Sequence, residues 1–206
     1  MSDKIAKLHK TCSELKKTAT HHYEDRNAYV SIMRFLYHSL LRVNTFVVYE
    51  IDLKGDLPDH ELGNEFKILK PTMQELANYR RSPDLPREFY YDEIHGVKNA
   101  YILVKGDRIA YIHWVYVKGD PNRFLRLRDD TAELNYNTTL PEFRGKGLMG
   151  KMMRYINLDL RDQGFSKAYG VVNAENIPAI KSMEKAGFHV HSRIKTLGPL
   201  HRKLAL

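Results

Sequence analysis

The chain has 206 residues, 43% of them hydrophobic and 28% charged, which is the make-up of a folded globular protein rather than of a disordered or collagen-like one. Its 33 basic and 25 acidic side chains leave a net charge of +8, suited to a basic surface or to the binding of something anionic. No apolar run reaches the roughly 20 residues that span a bilayer, the N-terminal stretch lacks the apolar core of a secretory signal, and a lone cysteine, Cys12, fits a reducing compartment, so the expectation is a cytoplasmic protein with no integral membrane segment.

Residues 1–43 contain neither Gly nor Pro. Within them Ile5, Leu8, Cys12 and Leu15, and then Val30, Met33, Leu36, Tyr37, Leu40 and Leu41, recur at helical spacing. This predicts a helical N-terminal extension. Its apolar stripe would pack on the main domain or on a partner subunit, which offers a homodimer surface; its basic face would also suit a membrane surface. Residues 44–206 form the main domain. Thr45–Leu53 reads as a strand, residues 55–63 as a polar loop, and Glu65–Leu69 as a second short strand. Thr72 opens a helix with Glu75 placed to close a capping box, and the helix ends near Arg81, before Pro83 and Pro86. Ala100–Val104 and Arg108–Val117 are strands joined by the turn Lys105-Gly106-Asp107. Thr131–Thr139 is a further strand. Leu148, Met149, Met152, Met153, Ile156 and Leu160 line one face of a helix that stops at Gly164. Phe165–Val172 is a strand, Asn176–Ala186 a helix with Asn176 as N-cap, and Phe188–Ile194 the last strand. A hairpin followed by alternating strands and helices predicts an α/β protein with a mixed sheet.

The stretch Pro141-Glu142-Phe143-Arg144-Gly145-Lys146-Gly147-Leu148-Met149-Gly150 lies between a strand and an amphipathic helix. Glycines at such a turn let the backbone approach a ligand closely. The first helical N–H groups have no partner inside the helix, and the helix dipole adds positive charge there. With Arg144 and Lys146 this makes an anion site of a size for pyrophosphate. The spacing matches neither the P-loop nor the dinucleotide fingerprint.

Arg144-Gly145-Lys146-Gly147-Leu148-Met149 resembles motif A, Arg/Gln-x-x-Gly-x-Gly/Ala, of the GNAT superfamily of acetyl-CoA-dependent N-acetyltransferases. Asn176-Ile177-Pro178-Ala179-Ile180, followed by Glu184-Lys185-Ala186-Gly187-Phe188, resembles its motif B. The two occur in the family's order with a strand between them, and the resemblance covers about residues 65–195. It implies a GNAT-like acyltransferase fold in residues 44–206, with acetyl-CoA as donor co-substrate and an amine as acceptor. It further implies cofactor contacts from the backbone of Asn137, Thr138, Thr139 and Leu140, from Arg144, Gly145, Lys146, Gly147, Leu148, Met149 and Gly150, and from Asn173, Asn176 and Met183. Two positions depart from the family pattern. Met149 stands where Gly or Ala is usual, and Met183 stands where many members carry a Tyr that protonates the departing thiolate.

Acyl transfer to an amine needs a base, because a lysine-type amine with a pKa near 10.4 is protonated at neutral pH. Glu133, on the strand before the glycine turn, is the first candidate, and its spacing resembles that of the catalytic glutamate in the histone-acetylating branch of the family. His113 is the second, and the two are expected to be able to share a water chain. Either residue is equally an ordinary strand side chain. Tyr90, Tyr91, Tyr111, Trp114 and Tyr116 line an acceptor pocket or fill the core. His21, His22, Glu24 and Asp25 complete no metal-ligand pattern, so no metal is expected, and no nucleic-acid motif is present. The acceptor is a small molecule, peptide or protein amine. The rival readings are an acyl-CoA sensor of the same fold, a membrane or nucleic-acid protein acting through residues 1–43, and an enzyme with a longer acyl donor.

Overall fold

The computed structural model describes residues 42–59, 62, 64–80, 85–197 and 202–204, together with Val30 and Met33. Backbone contacts divide the chain into two units, residues 46–193 and residues 1–45 with 194–206. Of the expected N-terminal helices only Val30 and Met33 are among the described residues, and both are helical and exposed; the remaining residues of that expectation lie outside them, save Arg42 and Val43.

Strands β1 (Val43–Asp52), β2 (Lys67–Leu69), β3 (Asn99–Lys105), β4 (Arg108–Tyr116), β5 (Thr131–Thr139), β6 (Lys167–Asn173) and β7 (His189–Leu197) follow the order β2-β3-β4-β5-β6-β1-β7. The far end of β7 belongs to the smaller unit, where Lys195 lies opposite Leu204 of β8 (Arg202–Leu204). The sheet is mixed, as the sequence predicts: β5 runs parallel to β6, whereas β2–β3, β3–β4, β4–β5 and β1–β6 are antiparallel. Among the described residues the helices α1 (Met73–Tyr79), α2 (Tyr91–His95), α3 (Leu148–Asp162) and α4 (Ile177–Lys185) accompany it.

Strand alternation sends side chains to two cores. Ala132 and Leu134 of β5 and Tyr111 and Val115 of β4 join Leu148, Met152, Met153 and Ile156 of α3. Ile112, Trp114 and Tyr116 of β4 face the other way, onto Leu76, Phe89 and Tyr91. The α1 capping box forms as expected: Thr72 Oγ1 accepts from the Glu75 N–H at 3.2 Å, and Glu75 Oε2 accepts from the Thr72 N–H at 2.8 Å. Helix α1 stops at Tyr79, two residues short of the expected end. The Arg80 side chain instead clamps Asp92 of α2 at 2.5 and 3.0 Å. Sequence periodicity misses α2, because five residues are too few to show a period; buried Phe89 and Tyr91 and this ion pair hold it.

Two irregularities mark β5. Its pairing with β6 comprises Thr131 with Lys167, Ala132 with Ala168 and Glu133 with Tyr169, and there the two strands part. Against β4, His113 lies opposite Asn137 and Trp114 opposite Asn135, so Tyr136 is an extra residue. Its φ of 39° makes this a bulge in the left-handed region. The strands diverge into a wedge beyond Glu133.

Candidate active site

The outer part of the wedge is a groove of about 510 Å³. One wall is the end of β5, Asn137 to Thr139; the floor is the turn Arg144 to Met149; Asn176, Pro178, Ala179 and Ser182 form the facing wall. Gly145 and Gly147 take φ values of 77° and 67°, conformations that other residues rarely adopt. Helix α3 begins immediately after Gly147, and its first internal bond runs from the Lys151 N–H to the Gly147 carbonyl at 3.3 Å. The N–H groups of Leu148, Met149 and Gly150 therefore have no partner within the helix, and the positive end of its dipole lies at the groove. A phosphate-rich ligand suits this cradle. Arg144 turns back to donate from Nε to the Thr139 carbonyl at 3.1 Å, bracing the turn against β5. Lys146 lies 3.2 Å from Glu65, which also binds Lys105 at 2.7 Å, so part of its charge is met within the protein. Asn176 caps α4 by accepting from the Ala179 N–H at 3.2 Å.

Leu140 and Gly150 do not line this groove, contrary to the sequence expectation. The Leu140 N–H bonds the Ala110 carbonyl at 3.0 Å and its side chain packs on both cores. Gly150 is already inside α3, where a β-carbon would make an ordinary contact of 3.7 Å with the Ser182 carbonyl of α4. The sequence reading missed Pro178, Ala179 and Ser182, although their spacing on the motif B helix puts them on one face.

Deeper in the wedge is a chamber of about 180 Å³. Leu134 to Asn137 of β5 and Val171 to Asn173 of β6 form its sides, and Met149, Met153 and Met183 give it a polarisable apolar lining. Asn137, Met149, Asn176 and Ala179 line both spaces, so chamber and groove adjoin. Met183 is 2% exposed, and a β-carbon on Gly170 would collide with its Cε. The absent side chain at 170 is what gives the thioether its place. The chamber also receives His113, which is fully buried. Burial pushes its imidazole pKa down to about 3, so the ring is neutral. Its Nδ1 meets the buried Tyr111 hydroxyl at 2.7 Å, and its Nε2 has no protein partner.

Glu133 lies on the opposite face of the sheet, between Ala132 and Leu134 in sequence and beside Tyr116 and Tyr169 across the strands. The expectation of a water chain between Glu133 and His113 fails, because the sheet separates them. Glu133 is 1% exposed, and burial pushes its carboxyl up to about 7 despite a hydrogen bond from the Asn122 amide. Asn122 is held in turn by its own Oδ1, which accepts from the N–H groups of Phe124 and Leu125 at 3.0 and 2.8 Å. Nothing in the sequence singles out Asn122, since the contact spans two separate segments.

The aromatic candidates divide. Tyr91 and Tyr116 cluster with Tyr136 on the Glu133 face, ring centroids 4.6 and 5.9 Å away, and His95 stacks on Tyr136 at 5.9 Å. Trp114 is core, with its indole N–H donated to the Glu88 carbonyl at 2.6 Å. Tyr111 belongs with His113 on the other face, and Tyr90 lies under the Arg80 guanidinium at 4.9 Å. The bulge thus sets the Tyr136 ring among Tyr91, His95 and Tyr116, while residue 136 also borders the chamber with its neighbours Asn135 and Asn137.

Residues 68–188 match the model of the acetyltransferase (GNAT) family. Among solved structures, a GCN5-related N-acetyltransferase from Sphaerobacter thermophilus is similar at 14% identity with a TM-score of 0.53, over 80% of this chain and 54% of that one. An acetyltransferase from the GNAT family of Colwellia psychrerythraea is similar at 12% identity and a TM-score of 0.53, over 82% and 61%. A glucosamine N-acetyltransferase region in a fungal multi-domain β-N-acetylglucosaminidase is similar at 13% and 0.54, over 84% and 23%. The likeness is one of fold, and the chain spans little more than half the length of the Sphaerobacter structure. No curated protein sequence matches the chain.

Proposed function

Since the chain belongs to the acetyltransferase (GNAT) family, we propose that it transfers the acetyl group of acetyl-CoA, the family's co-substrate, directly to a primary amine. The observation that carries this reading is that the glycine-turn groove adjoins the chamber where β5 leaves β6. Acetyl-CoA supplies the acyl group as a thioester, and coenzyme A departs as the thiol, its sulfur taking the proton that the attacking nitrogen loses on becoming an amide. The N–H groups at the start of α3, with Arg144 and Lys146, hold the pyrophosphate. The free edge of β5 from Asn137 to Thr139 pairs with the extended arm as an added strand would. Glu133 takes a proton from the acceptor ammonium, directly or through one water, so that the amine nitrogen can bond to the acyl carbon as the carbon–sulfur bond breaks. A carboxyl titrating near 7 suits this task, being about half ionised at neutral pH and mostly ionised above it, yet basic enough to hold a proton. Tyr91, Tyr116 and Tyr136 form the apolar wall beside which the acceptor carbon chain lies.

Calorimetric titration with acetyl-CoA, against ATP and NAD, tests the reading. Micromolar binding of acetyl-CoA alone is expected, and Gly147→Glu should weaken it at least about tenfold by setting a carboxylate beside the phosphates. Gly147→Ala separates the cost of φ 67° from that of the charge. Equal affinity in folded Gly147→Glu protein would remove the turn from the site. Met183 favours a second reading. At the position of the family's acidic Tyr it has no proton to give, so the fold would bind acyl-CoA without turnover. Coenzyme A binding with no thiol release across a panel of amines would favour that sensor.

A further inference from the structure

His113 is fully buried, yet it lines the chamber and keeps one polar ring atom without a protein partner. A buried, unpaired imidazole nitrogen is costly, and the geometry of its neighbours decides which kind of group it is. The Tyr111 hydroxyl, buried as well, has His113 Nδ1 at 2.7 Å as its hydrogen-bond partner. If Nδ1 carried the hydrogen, the phenol would accept and its own O–H would be left without an acceptor. If the phenol donates to Nδ1, both groups are satisfied, and the ring hydrogen sits on Nε2. The neutral ring then offers one N–H donor, and the chamber that His113 lines is the space beside it. Around that donor the lining mixes Leu134, Val172 and the three methionines with Asn135, Asn137, Asn173 and Asn176. The matching ligand group is an uncharged acceptor atom on an arm that carries amides as well as methylenes. By strand register His113 stands opposite Asn137, on the stretch of β5 that has already left β6, and Asn137 borders both the chamber and the groove.

Resting on the acyl-CoA reading, we propose that His113 is a binding residue for the acyl donor: its Nε2–H, oriented by Tyr111, donates to a carbonyl oxygen of the acyl-pantetheine arm. This role replaces the proton acceptor that the sequence suggests for His113. It also makes the chamber selective. A neutral donor in a lining that offers no cationic side chain favours acyl groups without charge, such as acetyl or propionyl, over those that end in a carboxylate, such as malonyl or succinyl.

The test uses the whole protein labelled with ¹⁵N in its imidazole rings, and the His113 signals are identified by their loss in His113→Gln. The free protein should show His113 as the neutral Nε2–H tautomer, unchanged from pH 5 to pH 8. Acetyl-CoA and coenzyme A are then added separately. A shift of the Nε2–H signal with both supports the proposal and puts the contact on an amide carbonyl of the arm. A shift with acetyl-CoA alone supports it and puts the contact on the thioester carbonyl. An Nδ1–H tautomer, or a signal unmoved when calorimetry shows either ligand bound, overturns the proposal and leaves the acyl-CoA reading standing. Failure of both ligands to bind the folded wild-type protein overturns both. Among variants, His113→Leu should weaken binding about three- to tenfold, the range for one lost hydrogen bond, and His113→Gln, which keeps an N–H of similar reach, should restore most of it. Equal affinities for wild type, Leu and Gln proteins would also overturn the proposal. So would succinyl-CoA binding as tightly as acetyl-CoA.

Discussion

Glu133 and His113 are two titratable residues displaced in opposite senses by the same cause. Burial costs the charged form of each, so the carboxyl is pushed up to about 7 and the imidazole down to about 3. For Glu133 the consequence for stability has a definite sign. In the unfolded chain the carboxyl ionises near its ordinary value of about 4.3, whereas the folded protein holds it neutral until pH approaches 7. The unfolded state therefore binds fewer protons between these values, and stability falls as pH rises through that window, then levels above it. Glu133→Gln, which can still accept from Asn122, should show little relative gain at pH 4 and a gain on the order of 2–3 kcal/mol at pH 8, read from denaturant unfolding at the two pH values. The same substitution should lower the acetylation rate about 10²-fold, while acetyl-CoA affinity stays as in wild type. The wild-type rate should rise with pH about a midpoint near 7. A fully active Gln variant would move the base role to another group or to water. Glu133 is legible in the sequence as a polar residue on a strand at a suggestive distance from the glycine turn. Its near-complete burial is not, because it depends on Tyr116, Tyr169 and Asn122, which come from three other segments.

Elements whose ends are set by local chemistry are the ones the sequence predicts best. The Thr72–Glu75 box and the Asn176 cap are bonds within four residues, and both are present. Helix α3 starts at the residue after Gly147, because the glycine's left-handed conformation cannot continue a helix backwards. The same locality allows a test. Asn176→Ala removes the side chain that accepts from the Ala179 N–H, at a cost of about 1 kcal/mol in unfolding free energy. Because α4 forms one wall of the groove, this variant should also bind acetyl-CoA more weakly, whereas Thr72→Ala, with a similar stability loss, should not. A loss of affinity common to both would trace it to stability alone. Elements set by distant partners are less legible. The five residues of α2 depend on the Arg80–Asp92 pair across 12 positions. The Tyr136 bulge exists only because β4 and β5 pair out of step between Trp114 and His113, and no property of residue 136 taken alone announces it.

At the scale of the larger unit, the mixed sheet assigns one chemical task to each face. The α3–α4 face carries the glycine turn, the groove and the chamber; the face toward Phe89 and Tyr91 carries Glu133 and the aromatic rings. On the proposed reaction, donor and acceptor would approach from these two faces. The motif order in the sequence foretells the first face, since glycine turn and cap are contiguous signals; the second is assembled from β4, β5, α2 and the 122–125 turn. With three residue pairs joining β5 to β6, the inward row of amide groups from Asn135 to Thr139 has no strand beside it. In heavy water these amides should exchange their hydrogens far faster than those of β4, while β6, zipped to β1 from Phe46–Asn173 to Asp52–Lys167, should be slow. Acetyl-CoA should close the gap in protection by becoming the missing rung of the ladder, so that exchange mass spectrometry would see the ligand as a temporary part of the sheet. Unchanged exchange over residues 135–139 at saturating ligand would show that the arm lies elsewhere.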